Sequence, residues 1–200
     1  MSGCIVSFIF LVVAQGIDVH AQTSITHCGV RLTLPRAWTF RSMADHDGAC
    51  RFGLLPKNWS ALRKKSSFEL PEYPIVVTVD EGSLDEAVAD AGFLSVAEMR
   101  RKQGDPDLCS GLAPDRWLIV GGQGSLLCDE AKEITTSQGK GIGACTSYGR
   151  MRKQAGGYAG LGDACTAVVN LGAKNLTVDG IEVDYADVLL PILKSAKIAE

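Results

Sequence analysis

Few residues in this chain have the type and spacing to do chemistry. Three histidines are present, His20, His27 and His46, and nucleophilic hydrolysis needs one of them beside a hydroxyl or thiol and oriented by an acid. The nearest approach to a G-x-S-x-G elbow is Cys145-Thr-Ser-Tyr-Gly149, where cysteine replaces the first glycine and the residue pattern suits a strand instead of a strained strand-to-helix turn. His46 lies in Met43-Ala-Asp-His-Asp-Gly48, a polar loop whose acids could face a hard cation but lack the EF-hand spacing. The other acids, Asp105 and Asp107, then Asp129, Glu130 and Glu133, are neighbours in loop sequence. Glycosidase chemistry needs carboxyls converging across a cleft. Trp117 to Val120 followed by Gly121-Gly-Gln-Gly124 opens like a dinucleotide fingerprint, yet Leu127 stands where the third glycine belongs, and no P-loop pattern occurs. No catalytic residue, metal site or cofactor is assigned. The alternative is an exported hydrolase whose site joins sequence-distant residues, with His27 or His46 meeting an acid and a nucleophile in one pocket.

The cysteines carry more information. Setting aside Cys4, six remain, Cys28, Cys50, Cys109, Cys128, Cys145 and Cys165, an even number without C-x-x-C spacing, as in disulfide-bonded proteins of oxidising compartments. Of the fifteen possible pairings, consecutive ones join positions a strand, a turn and a strand apart. The expected bonds are Cys28 to Cys50, Cys109 to Cys128 and Cys145 to Cys165, each worth about 3 kcal/mol through the unfolded state. Tyr148, Arg150, Arg152 and Tyr158, among glycines between the last two cysteines, form the candidate recognition surface. Trp38, Trp59 and Trp117 read as core anchors, and Arg63-Lys-Lys65 as a solvated helix face. Asn58-Trp-Ser60 and Asn175-Leu-Thr177 fit the N-glycosylation pattern, which matters only in a eukaryotic secretory pathway.

Alternation and turn chemistry set the elements that must position these residues. Ile25 to Leu34 alternates as one half-exposed strand, with Cys50 to Leu55 returning beside it, and Tyr73 to Asp80 is a β-branched strand. Trp59, Leu62 and Ser66 share one face of a short helix. Ser83 with Glu86 and Ser95 with Glu98 are capping boxes, placing helices near Leu84 to Ala91 and Val96 to Lys102. Trp117 to Val120, Ser125 to Cys128, Ile134 to Ser137, Ile142 to Arg150 and Ala164 to Leu171 read as short strands, and Asn175 to Val178 as an edge strand. Glu182 to Lys194 reads as a closing helix kinked by Pro191. The expected fold class is α+β, a mainly antiparallel sheet with two or three packed helices, stapled by disulfides, with an α/β/α sandwich as one form of it.

Ile5 to Ala14 is an uncharged apolar run too short to span a bilayer and of signal-peptide length. Val19 and Ala21 occupy cleavage-site positions, so residues 1–21 are expected to be removed and 22–200 to form a single domain, secreted or periplasmic, without stable membrane insertion. A net charge of −3 lacks the basic surplus of a nucleic-acid binder. Val30 to Pro35 with Trp38, and Leu190-Pro-Ile-Leu-Lys-Ser195, resemble the ends of the PsbP/Mog1-like class. That resemblance implies an α/β/α sandwich around an antiparallel sheet and an accessory or binding role; it carries no binding residues over. The expected function is therefore an exported, non-enzymatic binding or accessory protein whose partner is a protein or cell-envelope component.

Overall fold

Ile25 to Leu34 is not one strand. It folds as β1 (Thr23–His27) and β2 (Val30–Leu34), reversing at Cys28 and Gly29 with φ of 53° and 71°. Positive φ at both central residues is what a two-residue type I′ hairpin turn requires. Glycine takes it freely, whereas Cys28 is held there by a disulfide to Cys50. The structure, a computed structural model, describes residues 22–105, 107, 109–119, 129–154 and 157–199. The predicted signal segment, the Gly121 to Gly124 run, the Ser125 to Cys128 strand and Cys128 itself, with its predicted bond to Cys109, lie outside the described residues.

The chain continues through β3 (Trp38–Ser42), β4 (Cys50–Pro56), α1 (Trp59–Lys65), β5 (Ile75–Asp80), α2 (Leu84–Asp90), β6 (Phe93–Ser95) and α3 (Val96–Gln103). Then follow β7 (Trp117–Ile119), β8 (Asp129–Glu130), β9 (Lys132–Thr135), β10 (Lys140–Met151), β11 (Tyr158–Asn170) and β12 (Asn175–Ile181). A π-helical turn (Tyr185–Leu189), α4 (Leu190–Lys194) and β13 (Lys197–Ile198) close it. Seven strands form an antiparallel sheet in the order β3-β4-β5-β12-β11-β10-β9, flanked by the small sheets β1-β2-β13 and β6-β7-β8. β12, predicted at an edge, is the middle strand. Its alternation of Leu176 and Val178 with Thr177 and Asp179 reports which face is wet, and contains nothing about which edges are paired.

One face of the large sheet is covered, and the other is covered over β10 and β11 but exposed at Asp179 of β12. On one, Phe52, Leu54, Val77, Val169 and Val178 pack against Leu32 and Leu34 of β2 and against Leu189, Ile192 and Leu193. On the other, Ile142, Ala144 and Val168 meet Ala87 and Val88 of α2 with Phe93 and Ile119, while Met99 of α3 packs on Leu118. The α+β class is as predicted, and each outer layer combines a small sheet with helix.

Local signals explain the helices. Ser83 and Glu86 form the full capping box. Ser95 accepts from the Glu98 N–H, but the Glu98 carboxylate lies toward Lys102 at 3.4 Å and Arg101 at 3.9 Å, so ion pairing on α3 displaces the second half of the predicted box. Pro191 stands in the first turn of α4, directly after the π-helical turn, with Leu189 and Leu190 helical at the junction, so the change from π to α geometry falls where the proline removes a donor.

Cys145 and Cys165 are bonded and stand directly opposite in the β10–β11 ladder. The Cys28 to Cys50 bond does not join neighbouring strands of one sheet; it ties the β1–β2 turn to the start of β4, across two sheets. Replacing both Cys28 and Cys50 by alanine is expected to lower the unfolding free energy by about 3 kcal/mol, read as a shifted urea midpoint. An unchanged midpoint would show that packing alone holds the β1–β2 layer.

Candidate functional site

The predicted recognition residues sit where β10 and β11 outrun their neighbours. β12 accompanies β11 from Asn170 to Ala164, and β9 accompanies β10 from Lys140 to Gly143. From there to Met151 and Tyr158 the two arms pair with each other, with an irregularity between Gly149 and Met151. Residues 158–163 extend about 20 Å at strand spacing. The segment after α1 lines the outer edge of β10, through a bridge between Phe68 and Arg152, the Glu69 N–H to the Met151 carbonyl at 2.9 Å, and the Lys153 N–H to the Ser67 carbonyl at 3.0 Å.

Pleating sorts the arms into two faces. On the first, the Tyr148 hydroxyl donates to Glu182 Oε1 at 2.8 Å. Arg150 donates from Nε and Nη2 to both oxygens of the same carboxylate, and its guanidinium lies 5.6 Å from the centre of the Phe68 ring. Gly162 stands opposite Tyr148 and makes the approach possible: a Cβ there would come within 2.7 Å of Tyr148 Cε1 and 2.9 Å of Arg150 Nε. Glu182 adopts φ of 57°, a conformation side chains rarely take, and directs its carboxylate at these two partners. The Arg150 hydrogen bonds hold the Glu182 carboxyl below its ordinary value against the opposing effect of burial. Burial, then the bond to Glu182 and that residue's charge, push the Tyr148 phenol up to about 12. Both partners therefore keep the charge states the bonds require at neutral pH.

The opposite face is apolar and in water. Met151, Tyr158 and Leu161 are 39%, 63% and 69% exposed; Tyr158 pairs with Met151, and Leu161 with Gly149. The Tyr158 ring lies over Gly149, where a Cβ would be 2.5 Å from its Cδ1. Cations border this face. Arg152 and Lys153 are exposed at the arm's end, and the Lys153 ammonium donates to the Arg63 carbonyl, which brings exposed Lys64 and Lys65 of α1 alongside. Of the predicted residues, then, Tyr148 and Arg150 are engaged with Glu182, and Arg152 and Tyr158 face solvent. Met151 and Leu161 were missed because they lie outside the predicted strands, Met151 one residue past Ile142 to Arg150 and Leu161 in the glycine-rich stretch before Ala164.

The residues weighed for hydrolysis are kept apart. The His27 ring packs on Phe40 and Phe52, with Ser42 Oγ at 3.3 Å from Nε2. His46 pairs with its neighbour Asp47 on an exposed loop. A recess of about 550 Å³ gathers His46, Asp47, Asp80, Glu81 and Asp90 beside the Cys28 to Cys50 bond, and those sulfurs are oxidised and have no nucleophilic thiolate. The same oxidation removes His27, Cys28 and Cys50 as a metal-ligand group, although their donor atoms lie close together. A second recess, of about 410 Å³, exposes Glu130, Lys132 and Cys145 around Tyr185, whose buried hydroxyl has no hydrogen-bond partner among the described residues and is pushed up by burial. A third, of about 550 Å³, places Trp117 near Arg116, Glu133 and Lys140. Trp59 is the buried anchor, donating to the Pro71 carbonyl at 3.2 Å, while Trp38 and Trp117 pack at the margins of the core.

No protein-family model matches the chain, and no curated protein is similar to it in sequence. Solved structures similar in fold include the following two, both at low TM-score. Cyanobacterial PsbP from Synechocystis, known from a solution structure, is 15% identical with a TM-score of 0.40, over 94% of this chain and 99% of its own. A Bacteroides thetaiotaomicron protein is 7% identical with a TM-score of 0.38, over 86% of this chain. The chain spans 46% of that protein's length. Among the described residues no helix is long and apolar enough to cross a membrane.

Two substitutions probe the Glu182 contacts. Glu182→Gln is expected to cost about 2 kcal/mol at neutral pH, because it leaves the Arg150 charge poorly matched. The depressed Glu182 pKa stabilises the fold fully above the ordinary value of 4.5 and ceases to do so as pH falls through the lower folded value. Wild type should therefore lose stability more steeply below about pH 4.5 than Glu182→Gln does, followed by chemical unfolding across that range. In the same variant the phenol titrating near 12 should move down in an ultraviolet titration. Independently, Gly162→Ala should destabilise by about 2 kcal/mol through the forced separation of Tyr148 and Arg150 from Glu182; a neutral result would show that the contacts tolerate the methyl group.

Proposed function

We propose that this chain is an exported accessory protein, without catalytic activity of its own, that binds a protein or envelope component through the projecting end of the β10–β11 hairpin. The observation that carries this is the exposure of Met151, Tyr158 and Leu161 on one face of arms whose other face is fastened by Glu182. Large apolar side chains grouped in water are the usual mark of a contact surface, and a fixed backbone lowers the ordering cost of using one. Tyr158 and Arg152 are the contact residues in this scheme, joined by Met151 and Leu161, and Tyr148 and Arg150 hold them in place. Export is supported by disulfides, two of them between described residues, which form and persist in oxidising compartments, and by the apolar run Ile5 to Ala14. Residues 1–21 act as the cleaved signal and 22–200 as one folded domain. The hydrolase alternative lacks support, because His27 and His46 lie in separate surroundings: the His27 ring meets Phe40, Phe52 and the Ser42 hydroxyl, and His46 pairs with Asp47 on an exposed loop.

A photo-crosslinking residue placed at Leu161, with Thr26 on β1 as control position, tests this in the secretory compartment of the source cell. A discrete adduct, protein or lipid, from position 161 and none from 26 is expected. Equal labelling from both positions, or none from 161, would end the proposal.

A further inference from the structure

We propose that the hairpin end docks reversibly on an anionic phospholipid surface; this rests on the hairpin being the recognition surface and names its partner. The contact residues stand out on a projection instead of lining a groove, and the three recesses described above are formed by other residues. A projecting apolar strip suits a deformable, flat partner better than a peptide, which needs walls to bury its side chains. The side chains are of the right kind. Met151 and Leu161 are aliphatic, and Tyr158 offers an apolar ring with a polar tip, the amphipathic combination that lies at the level of lipid headgroups.

Charge selects the lipid. Residues 59–69 and 150–163 contain six basic side chains, Arg63, Lys64, Lys65, Arg150, Arg152 and Lys153, and two acids, Glu69 and Asp163. That surplus of four contrasts with a whole-chain charge of −3, so the remainder carries −7, of which Asp18 belongs to the predicted signal. Arg150 is matched by Glu182 and contributes little outward. An anionic surface attracts the hairpin end and repels the rest of the molecule, which fixes the approach with the apolar face leading. Three apolar side chains reach only the headgroup boundary, so the contact is peripheral and reversible.

Co-sedimentation of residues 22–200 with vesicles tests this directly. Vesicles of phosphatidylcholine containing about a third phosphatidylglycerol should carry the protein down, and pure phosphatidylcholine should not. Raising salt from about 0.05 M to about 0.5 M should release it. Lys64→Gln with Lys65→Gln should weaken partitioning by about fivefold for each charge removed, and Tyr158→Ser with Leu161→Ser by about tenfold or more. Lys64, Lys65 and Leu161 are exposed, so unchanged circular dichroism and melting are expected of the lysine variant and of Leu161→Ser alone, which is the second apolar variant should the double serine variant misfold; Arg152→Gln is the second charge variant. Equal binding to both vesicle types, no binding to either, or variants that bind like wild type would overturn the lipid assignment. If vesicles fail while Leu161 crosslinks to a protein, the lipid assignment falls and the hairpin remains the recognition surface. If both fail, both proposals fall.

Discussion

The register of β10 against β11 decides what this molecule can present to others. Cys145 faces Cys165, Tyr148 faces Gly162, and Leu161 faces Gly149. Because side chains alternate across a strand, a slip of one residue on either arm would exchange its faces. Tyr148 and Arg150 would then point away from Glu182, and a strip of apolar side chains would turn against a carboxylate. A disulfide placed directly across the ladder excludes that slip covalently. The glycines work to the same end, since only in this register do small residues lie under Tyr158 and under the Tyr148 and Arg150 pair.

Glu182 extends that constraint to the central sheet. It follows immediately after Ile181, the last residue of the middle strand, and its N–H donates to the Asp163 carbonyl of β11. Its left-handed backbone is unfavourable for a side chain, and the bidentate bond to Arg150 with the Tyr148 hydroxyl offsets that cost. The projecting arms are thereby coupled to the most deeply embedded strand of the fold.

Much of the architecture was legible because its causes are local. β-branched residues marked β5, turn-bounded apolar residues marked β11, a serine three residues before a glutamate marked the start of α2, and cysteines about one hairpin apart marked the two bonds seen among the described residues. What escaped depends on distance or on rare backbone states. A Cys-Gly turn lacks the Asn-Gly signature, so the β1–β2 hairpin read as one strand. Strand order is a property of pairing, which left β12 at an edge when it belongs in the middle. In the candidate site, Tyr148, Arg150, Arg152 and Tyr158 stood out by type, but Glu182 lies 32 residues from Arg150, and no periodicity links them. Leu161 was absorbed into a glycine-rich loop because six flanking residues, Gly156 to Gly162 apart from itself, are small or turn-forming except Tyr158.

An isolated two-stranded hairpin is marginal in water, and one that exposes apolar side chains has still less to hold it together. The arms beyond Ala164 meet this difficulty with fastenings at three heights. The Cys145 to Cys165 bond closes the base, the Glu182 contacts grip the middle, and the pairing of Phe68 and Glu69 along β10 supports the end. None of these is made by the side chain of Met151 or Leu161; Met151 takes part through its backbone carbonyl alone. A hairpin built to be stable by the ordinary route would have turned those side chains inward; here polar and covalent contacts fasten the arms while Met151, Tyr158 and Leu161 remain exposed.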